Sequence, residues 1–264
     1  MKPPAIRIAF HGDTARVGRC ALPRTEGLLR AMPAARVPQA VRRLHGICAQ
    51  AQGLASMLAI AAATDEVVGR EDLARQAIAV EAEAMRETGL RLCLDWPALV
   101  GEAPQAEAAR ALMVLTQAEV PDVAAMSAWI AGIAASGLPA RLVAQAPAHL
   151  APVFEARIAG MGEAPLRIAG ILSGAPLPRG ETPAAGIGVA AVTCARGRLV
   201  HRVRVEQGLV IDYIIDAPTA RRFAADGDAP GLLARCRGRD EVIWAMHAID
   251  PCVAWGLDEM GEVA

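Results

Sequence analysis

Two segments near opposite ends of the chain carry side chains that could bind a metal. In Arg42-Arg43-Leu44-His45-Gly46-Ile47-Cys48 two residues separate an imidazole from a thiol. In Ile249-Asp250-Pro251-Cys252-Val253-Ala254-Trp255 a second thiol follows a proline. His and Cys at that spacing can reach one ion from a turn or from neighbouring helical positions. The spacing equally describes two core residues, because free cysteine is among the most buried residue types. The residues themselves leave both readings open.

Two further spots have chemical potential. Pro23-Arg24-Thr25-Glu26-Gly27 sets the Glu26 carboxylate beside a glycine, which also fits a solvated turn. Cys194-Ala195-Arg196-Gly197-Arg198-Leu199-Val200-His201 brings Arg196 to the entry of a hairpin, where its guanidinium can donate several hydrogen bonds to a polar ligand or simply be surface charge. There is no glycine-rich phosphate loop, nucleophile elbow or paired-histidine metalloprotease motif.

The elements that must position these residues follow from periodicity. Ile6 to Phe10 alternates as a strand, and Arg16 to Leu22 can return beside it after a turn at Gly12-Asp13. From Pro38 the pattern is helical: Val41, Leu44, Cys48, Ala51, Ala55, Leu58 and Ala62 form one apolar stripe, with Gly46 a candidate break into a short helix and a longer one. A second helix starting near Ile47 would hold Cys48 in its first turn, where the helix dipole favours a thiolate. Further helices are expected over Glu71 to Leu94, stopped by Pro97, and over Pro104 to Glu119, Pro121 to Ser136, Ala148 to Ala159 and Asp240 to Ala248. Gly160 to Gly188 reads as irregular connection with at most a short strand. Weak alternation over Gly188 to Thr193 precedes a hairpin of Arg198 to Glu206 and Leu209 to Ile215 about a Gln207-Gly208 turn, closed by Ala217-Pro218-Thr219.

Composition narrows the class. With 54% hydrophobic and only 3% aromatic residues, a core of Ala, Leu, Val, Ile and Met suits packed helices. The net charge of -1 argues against a dedicated nucleic-acid binder. Val123 to Ala140 is uncharged, but its Gly132, Gly137 and Pro139 favour a buried core helix over a membrane span. No secretory signal is expected at the N-terminus, and six scattered cysteines fit reduced thiols in a cytoplasmic protein. Cys20, Cys93, Cys194 and Cys236 are expected to be buried structural thiols, with Cys194 of most interest beside Arg196.

Taken in order, the four spots resemble the large subunit of nickel-iron hydrogenases. Arg24-Thr25-Glu26-Gly27-Leu28-Leu29-Arg30 is similar to that family's R-x-E-G-H-L-R segment, with Leu28 at the histidine position. Arg43-Leu44-His45-Gly46-Ile47-Cys48 resembles its R-x-C-G-x-C motif. Ala195 to His201, followed by Pro218-Thr219, resembles A-[PR]-R-G-x-L-x-H and a downstream P-T. Asp250-Pro251-Cys252-Val253-Ala254-Trp255 resembles the first half of D-P-C-x-x-C-x-x-H.

In that family four thiolates hold nickel, and two of them bridge to an iron carrying cyanide and carbon monoxide. Here His45 and Trp255 replace one cysteine of each pair, Gln52 stands where a histidine commonly follows, and Asp258 stands at the final histidine. By the family's arrangement Cys48 corresponds to an iron-bridging ligand and Cys252 to a terminal nickel ligand, and the resemblance implies that these two, with His45 and Glu26 nearby, hold the iron fragment while Arg196 donates to the cyanides. Indole cannot coordinate, so a nickel site is not expected.

This depleted pattern resembles the HupK/HoxV group of hydrogenase maturation proteins. It implies one α+β domain over residues 1–264, predominantly helical, with a hydrogenase large-subunit-like core and small β-hairpins. It also implies a non-catalytic scaffold for an iron fragment with cyanide and carbon monoxide ligands. Partners would be other maturation proteins and the large-subunit precursor. A divergent oxidoreductase and a metal-free assembly chaperone are the competing expectations. With six residues following Asp258, the long tail that catalytic precursors lose to a maturation protease is not expected.

Overall fold

Period-two alternation at the N-terminus forms β1 (Ile6–His11), which pairs antiparallel with β2 (Thr14–Cys20). The computed structural model describes residues 5–11 and 14–259, so the turn expected at Gly12-Asp13 lies outside the described residues. The helical stripe does divide at Gly46. Helix α1 (Val37–Leu44) meets α2 (Ala49–Thr64) at an elbow formed by His45, Gly46, Ile47 and Cys48.

Helix α3 (Arg70–Leu90) continues through a π-helical turn (Arg91–Asp95) and a 3₁₀ turn (Trp96–Val100). Pro97 does not stop the helix directly. It sits in the first turn of the 3₁₀ segment, where its missing N–H leaves no bond unmade. Helices α4 (Ala106–Gln117), α5 (Val123–Ala135), α6 (Leu138–Gln145), α7 (Ala151–Gly162) and α8 (Ala164–Leu172) follow.

Two expectations fail in this stretch. Val123 to Ala140 is not one buried helix, because α5 and α6 are bent by 52° at a break that holds Gly137 with φ 72. Met126 and Ile133 are the buried residues of α5, whereas Ala124, Ser127, Ala128 and Ala131 are exposed. Small side chains contribute little buried area, so the larger residues set the inward face. Among the described residues no single helix is long and apolar enough to cross a membrane. Gly160 to Gly188 is not irregular throughout either, since it contains α8 and then β3 (Gly180–Ala184). Pro165 lies in the first turn of α8, where proline starts a helix rather than breaking one.

Strands β4 (Ile187–Cys194), β5 (Gly197–Glu206) and β6 (Leu209–Asp216) complete an antiparallel sheet in the order β3-β4-β5-β6. Gln207 and Gly208 both have positive φ, 50 and 76, as a two-residue hairpin turn requires. Helix α2 lies across β4 and β5 so closely that a side chain at Gly188 would collide with the Ala59 carbonyl. Glycine at that position lets the helix carrying the elbow seat on the sheet.

Helices α9 (Pro218–Arg222), α10 (Asp228–Leu233) and α11 (Arg239–Ile249) lead to β7 (Trp255–Glu259), which pairs parallel with β1. Arg7 Nε donates to Asp258 Oδ2 at 2.6 Å across this pairing. The closing strand brings Cys252 towards the chain's N-terminal segment.

Two apolar clusters result. One joins β1, β7 and most of the helices around Trp96, Phe154 and Met246, and the other joins α1, α2 and the four-stranded sheet around Leu54, Leu58 and Tyr213. Ile171 of α8 packs against both. With 55% helix and 19% strand, the architecture is α+β and predominantly helical, as expected.

Candidate functional site

The elbow between α1 and α2 takes its shape from two helix ends. His45 caps α1, its N–H donating to the Val41 carbonyl at 3.1 Å, and Cys48 is the capping residue of α2, its carbonyl accepting from Gln52 N–H at 3.0 Å. Neither residue lies within a regular helix, although both are held by one. His45 Nε2 is 3.1 Å from Thr25 Oγ1, which ties the elbow to the segment containing Glu26.

A cavity of about 670 Å³ is lined by Glu26, His45, Cys48, Gln52, Thr219 and Cys252, among others. Four of the residues singled out in the sequence, Glu26, His45, Cys48 and Cys252, therefore meet at one space. Cys20 lines the same cavity and is exposed, contrary to the expectation of a buried structural thiol. It closes β2 at the edge of its sheet, where little packs over it. Cys93, Cys194 and Cys236 are buried, and all six cysteines are free.

Cys48 is not an activated thiolate. Burial pushes its thiol up to about 12, Cys194, Cys252 and Glu83 add to the rise, and Arg196 opposes it. The helix-dipole expectation fails because Glu83 of α3 already occupies the α2 N-terminus. Its Oε1 accepts from Gln50 N–H at 2.9 Å and its Oε2 from Ala51 N–H at 3.0 Å. Burial also lowers the His45 imidazole below its ordinary value, against the pull of Glu26, so His45 is neutral.

Arg196 does not line the cavity that holds Cys48 and Cys252. It lines a second cavity of about 550 Å³ together with Cys194, and its side chain is 3% exposed. Asp250, the left-handed cap of α11, clamps it: Arg196 Nε donates to the Asp250 carbonyl at 2.8 Å and Nη2 to Asp250 Oδ2 at 2.9 Å. Glu87 takes a further Nη2 contact at 3.3 Å. Arg157 and Arg91 reach the same Asp250 carboxylate at 2.7 and 2.9 Å. Burial alone would raise the Asp250 carboxyl, yet these three guanidiniums hold it below its ordinary value. Among the described residues, Arg196 Nη1 is buried without a hydrogen-bond partner.

Cysteine side chains in the cavity are also positioned from behind. Thr219 Oγ1 donates to Cys252 Sγ at 3.2 Å and accepts from Cys252 N–H at 3.1 Å. Gln52 Nε2 is 3.9 Å from Cys48 Sγ, while Gln52 Oε1 lies 2.8 Å from His201 Nε2. His201 Nδ1 is 2.7 Å from the Tyr213 hydroxyl, which in turn is 2.8 Å from Ser56 Oγ. The chain of contacts runs from the sheet to the thiol, and every member behind Cys48 is buried.

Glu83 is the supporting residue that sequence reasoning missed. It falls at three residues from Val80 on the buried side of α3, and a carboxylate on an apolar face was the available signal. Cys194, whose charge bears on Cys48, was visible only as a neighbour of Arg196.

Comparison with solved structures defines the fold. The chain superposes on an NAD+-reducing [NiFe]-hydrogenase with a TM-score of 0.61 and 13% identity, covering 90% of this chain and 92% of that one. The Ni-Fe-Se hydrogenase of D. vulgaris Hildenborough gives 0.65 and 12%, covering 92% and 94%. That of Desulfomicrobium baculatum gives 0.62 and 11%, covering 91% and 93%. The fold is that of the nickel-iron hydrogenase large subunit.

In sequence, the chain is 38% identical over 81 residues to the hydrogenase expression/formation protein HupK of Bradyrhizobium diazoefficiens. The match spans 28% of this chain and 22% of that protein. No family model matches the chain. The chain thus has the fold of the hydrogenase large subunit and, over 81 residues, resembles HupK.

Proposed function

We propose that this protein is a hydrogenase maturation factor that holds the iron fragment bearing cyanide and carbon monoxide and passes it to the large-subunit precursor. The observation that carries this reading is the meeting of Cys48 and Cys252, from distant parts of the chain, at one cavity of about 670 Å³. An iron that arrives with strong-field diatomic ligands needs few protein donors, so two thiols suffice to hold it. A nickel-iron pair needs more sulfur than this cavity supplies.

The cargo fits the residues present. Binding iron replaces the Cys48 S–H proton with a metal bond, and the neutral imidazole of His45 in the same cavity can accept that proton. A thiol driven up to about 12 also favours the return of the proton, which weakens the hold on iron at release. Arg196 acts from behind the thiols as a fixed positive charge clamped by Asp250. Such a site suits carriage better than turnover, and the protein is read as non-catalytic. Its partners are the donor of the fragment and the precursor that receives it.

Infrared spectroscopy and metal analysis of protein purified anaerobically from cells with the maturation genes test this. Cyanide and carbonyl bands with iron and no nickel are expected, with loading lost in Cys48→Ala and Cys252→Ala. Stoichiometric nickel with hydrogen turnover would establish an oxidoreductase instead. Partner binding without metal or bands would establish a metal-free chaperone.

A further inference from the structure

Away from this cavity, three potential ligands converge on the helical side of the molecule. Cys236 follows α10, Glu241 stands in the first turn of α11, and His149 lies in the turn that enters α7. One donor atom of each, the thiol sulfur, a carboxylate oxygen and an imidazole nitrogen, lies within 4.8 Å of the other two. Cys236 Sγ and His149 Nε2 are 3.8 Å apart. Tetrahedral zinc, with bonds of about 2.3 Å to sulfur and about 2.0–2.1 Å to nitrogen, places such a pair about 3.6 Å apart. The observed separation is already close to that of a bound pair.

The surroundings also orient the ligands. Glu241 Oε2 accepts from Arg237 N–H at 2.7 Å, which orients the carboxylate. The Leu232 backbone also lies in hydrogen-bonding contact with the His149 ring. Cys236 is fully buried, and its thiol rests against the carbonyls of Leu232 and Glu241 at 3.5 and 3.4 Å. Leu233 and Val242, both fully buried, hold the two helices that carry this corner in the core. Arg235, whose charge bears on His149, is the nearby cation that the site must tolerate.

The geometry points to a second metal site, formed by His149, Cys236 and Glu241, that takes a zinc-class divalent cation and leaves one coordination position open. On binding, the Cys236 S–H bond breaks, its proton goes to solvent, and a sulfur-metal bond forms as the ion sheds water. Thiolate and carboxylate together balance the charge of the ion. The site joins α7, α10 and α11, so the ion would brace the base of the helix that ends in Asp250. The inference does not depend on the proposed cargo.

The test uses full-length protein carrying Cys48→Ser and Cys252→Ser, stripped of metal and titrated with zinc in competition with a chelating dye, then with cobalt. One equivalent of zinc is expected, with a thiolate-to-cobalt charge-transfer band. Cys236→Ser should abolish the band. His149→Ala and Glu241→Gln, at partly exposed positions, should each weaken zinc binding at least tenfold while keeping the parent circular dichroism. Zinc should also raise the melting temperature of the parent but not of His149→Ala. Absence of saturable binding, or an unchanged band and affinity in Cys236→Ser, would overturn the assignment. Failure of the protein with Cys48 and Cys252 intact to acquire iron in cells with the maturation genes, with zinc binding intact, would reject the proposed cargo alone.

Discussion

Gln52 joins His201 to Cys48: its Oε1 lies 2.8 Å from His201 Nε2 and its Nε2 lies 3.9 Å from Cys48 Sγ. A buried histidine on the sheet is thereby connected to a thiol in the cavity through a single amide. Burial of the His201 ring disfavours its charged form and, with His45 adding to the effect, lowers it to about 3.

This neutral histidine makes stability depend on pH. The folded imidazole titrates far below its ordinary value of about 6.5, so the unfolded chain binds the extra proton first and folding is favoured least at low pH. Its contribution is complete above about pH 6.5 and falls as pH drops towards about 3. Between about pH 7 and about pH 5 the loss should be about 2 kcal/mol, at about 1.4 kcal/mol per pKa unit. Urea unfolding at both values checks it, and His201→Gln should flatten this part of the slope. An equal slope in the variant would remove His201 as the cause.

Glu83→Gln should alter Cys48 without touching it. Glu83 caps α2 and its negative charge helps raise the Cys48 thiol. Removing that charge lowers the thiol from its value of about 12 and speeds alkylation by iodoacetamide at mildly alkaline pH. Loss of part of the cap costs about 1 kcal/mol. Mass spectrometry of the Cys48 peptide gives the rate, and an unchanged rate would show that Glu83 acts only as a cap.

Asp250→Asn should destabilise the fold strongly. The substitution leaves Arg91, Arg157 and Arg196 around a neutral amide, with Arg157 and Arg196 nearly buried. Breaking one side of a buried ion pair typically costs about 3–5 kcal/mol. Denaturant unfolding measures this directly. A change below about 1 kcal/mol, the range of exposed pairs, would mean that solvent already screens the cluster.

Local sequence was enough to locate much of this molecule. The meander from Arg198 to Ile215 was legible because alternation and a Gln207-Gly208 turn are local properties, and the broken helix at Gly46 was legible for the same reason. Helices α8 and α10 were hidden by proline and glycine, whose effect depends on whether they fall in a first turn or an interior. Strand β7 was hidden because its partner β1 lies at the other end of the chain.

By itself the sequence determined which donors exist: one thiol in each of two distant segments, an imidazole, a carboxylate and an arginine. Ligand chemistry belongs to side chains, and so it survives without coordinates. Only the tertiary structure decided that Cys48, Cys252, His45 and Glu26 share a cavity while Arg196 stands behind it. It also decided that Cys48 is a protonated thiol, because burial and the Glu83 carboxylate at the α2 terminus outweigh the dipole that sequence alone would credit. Desolvation and long-range charge are properties of the packed molecule, and no local pattern encodes them.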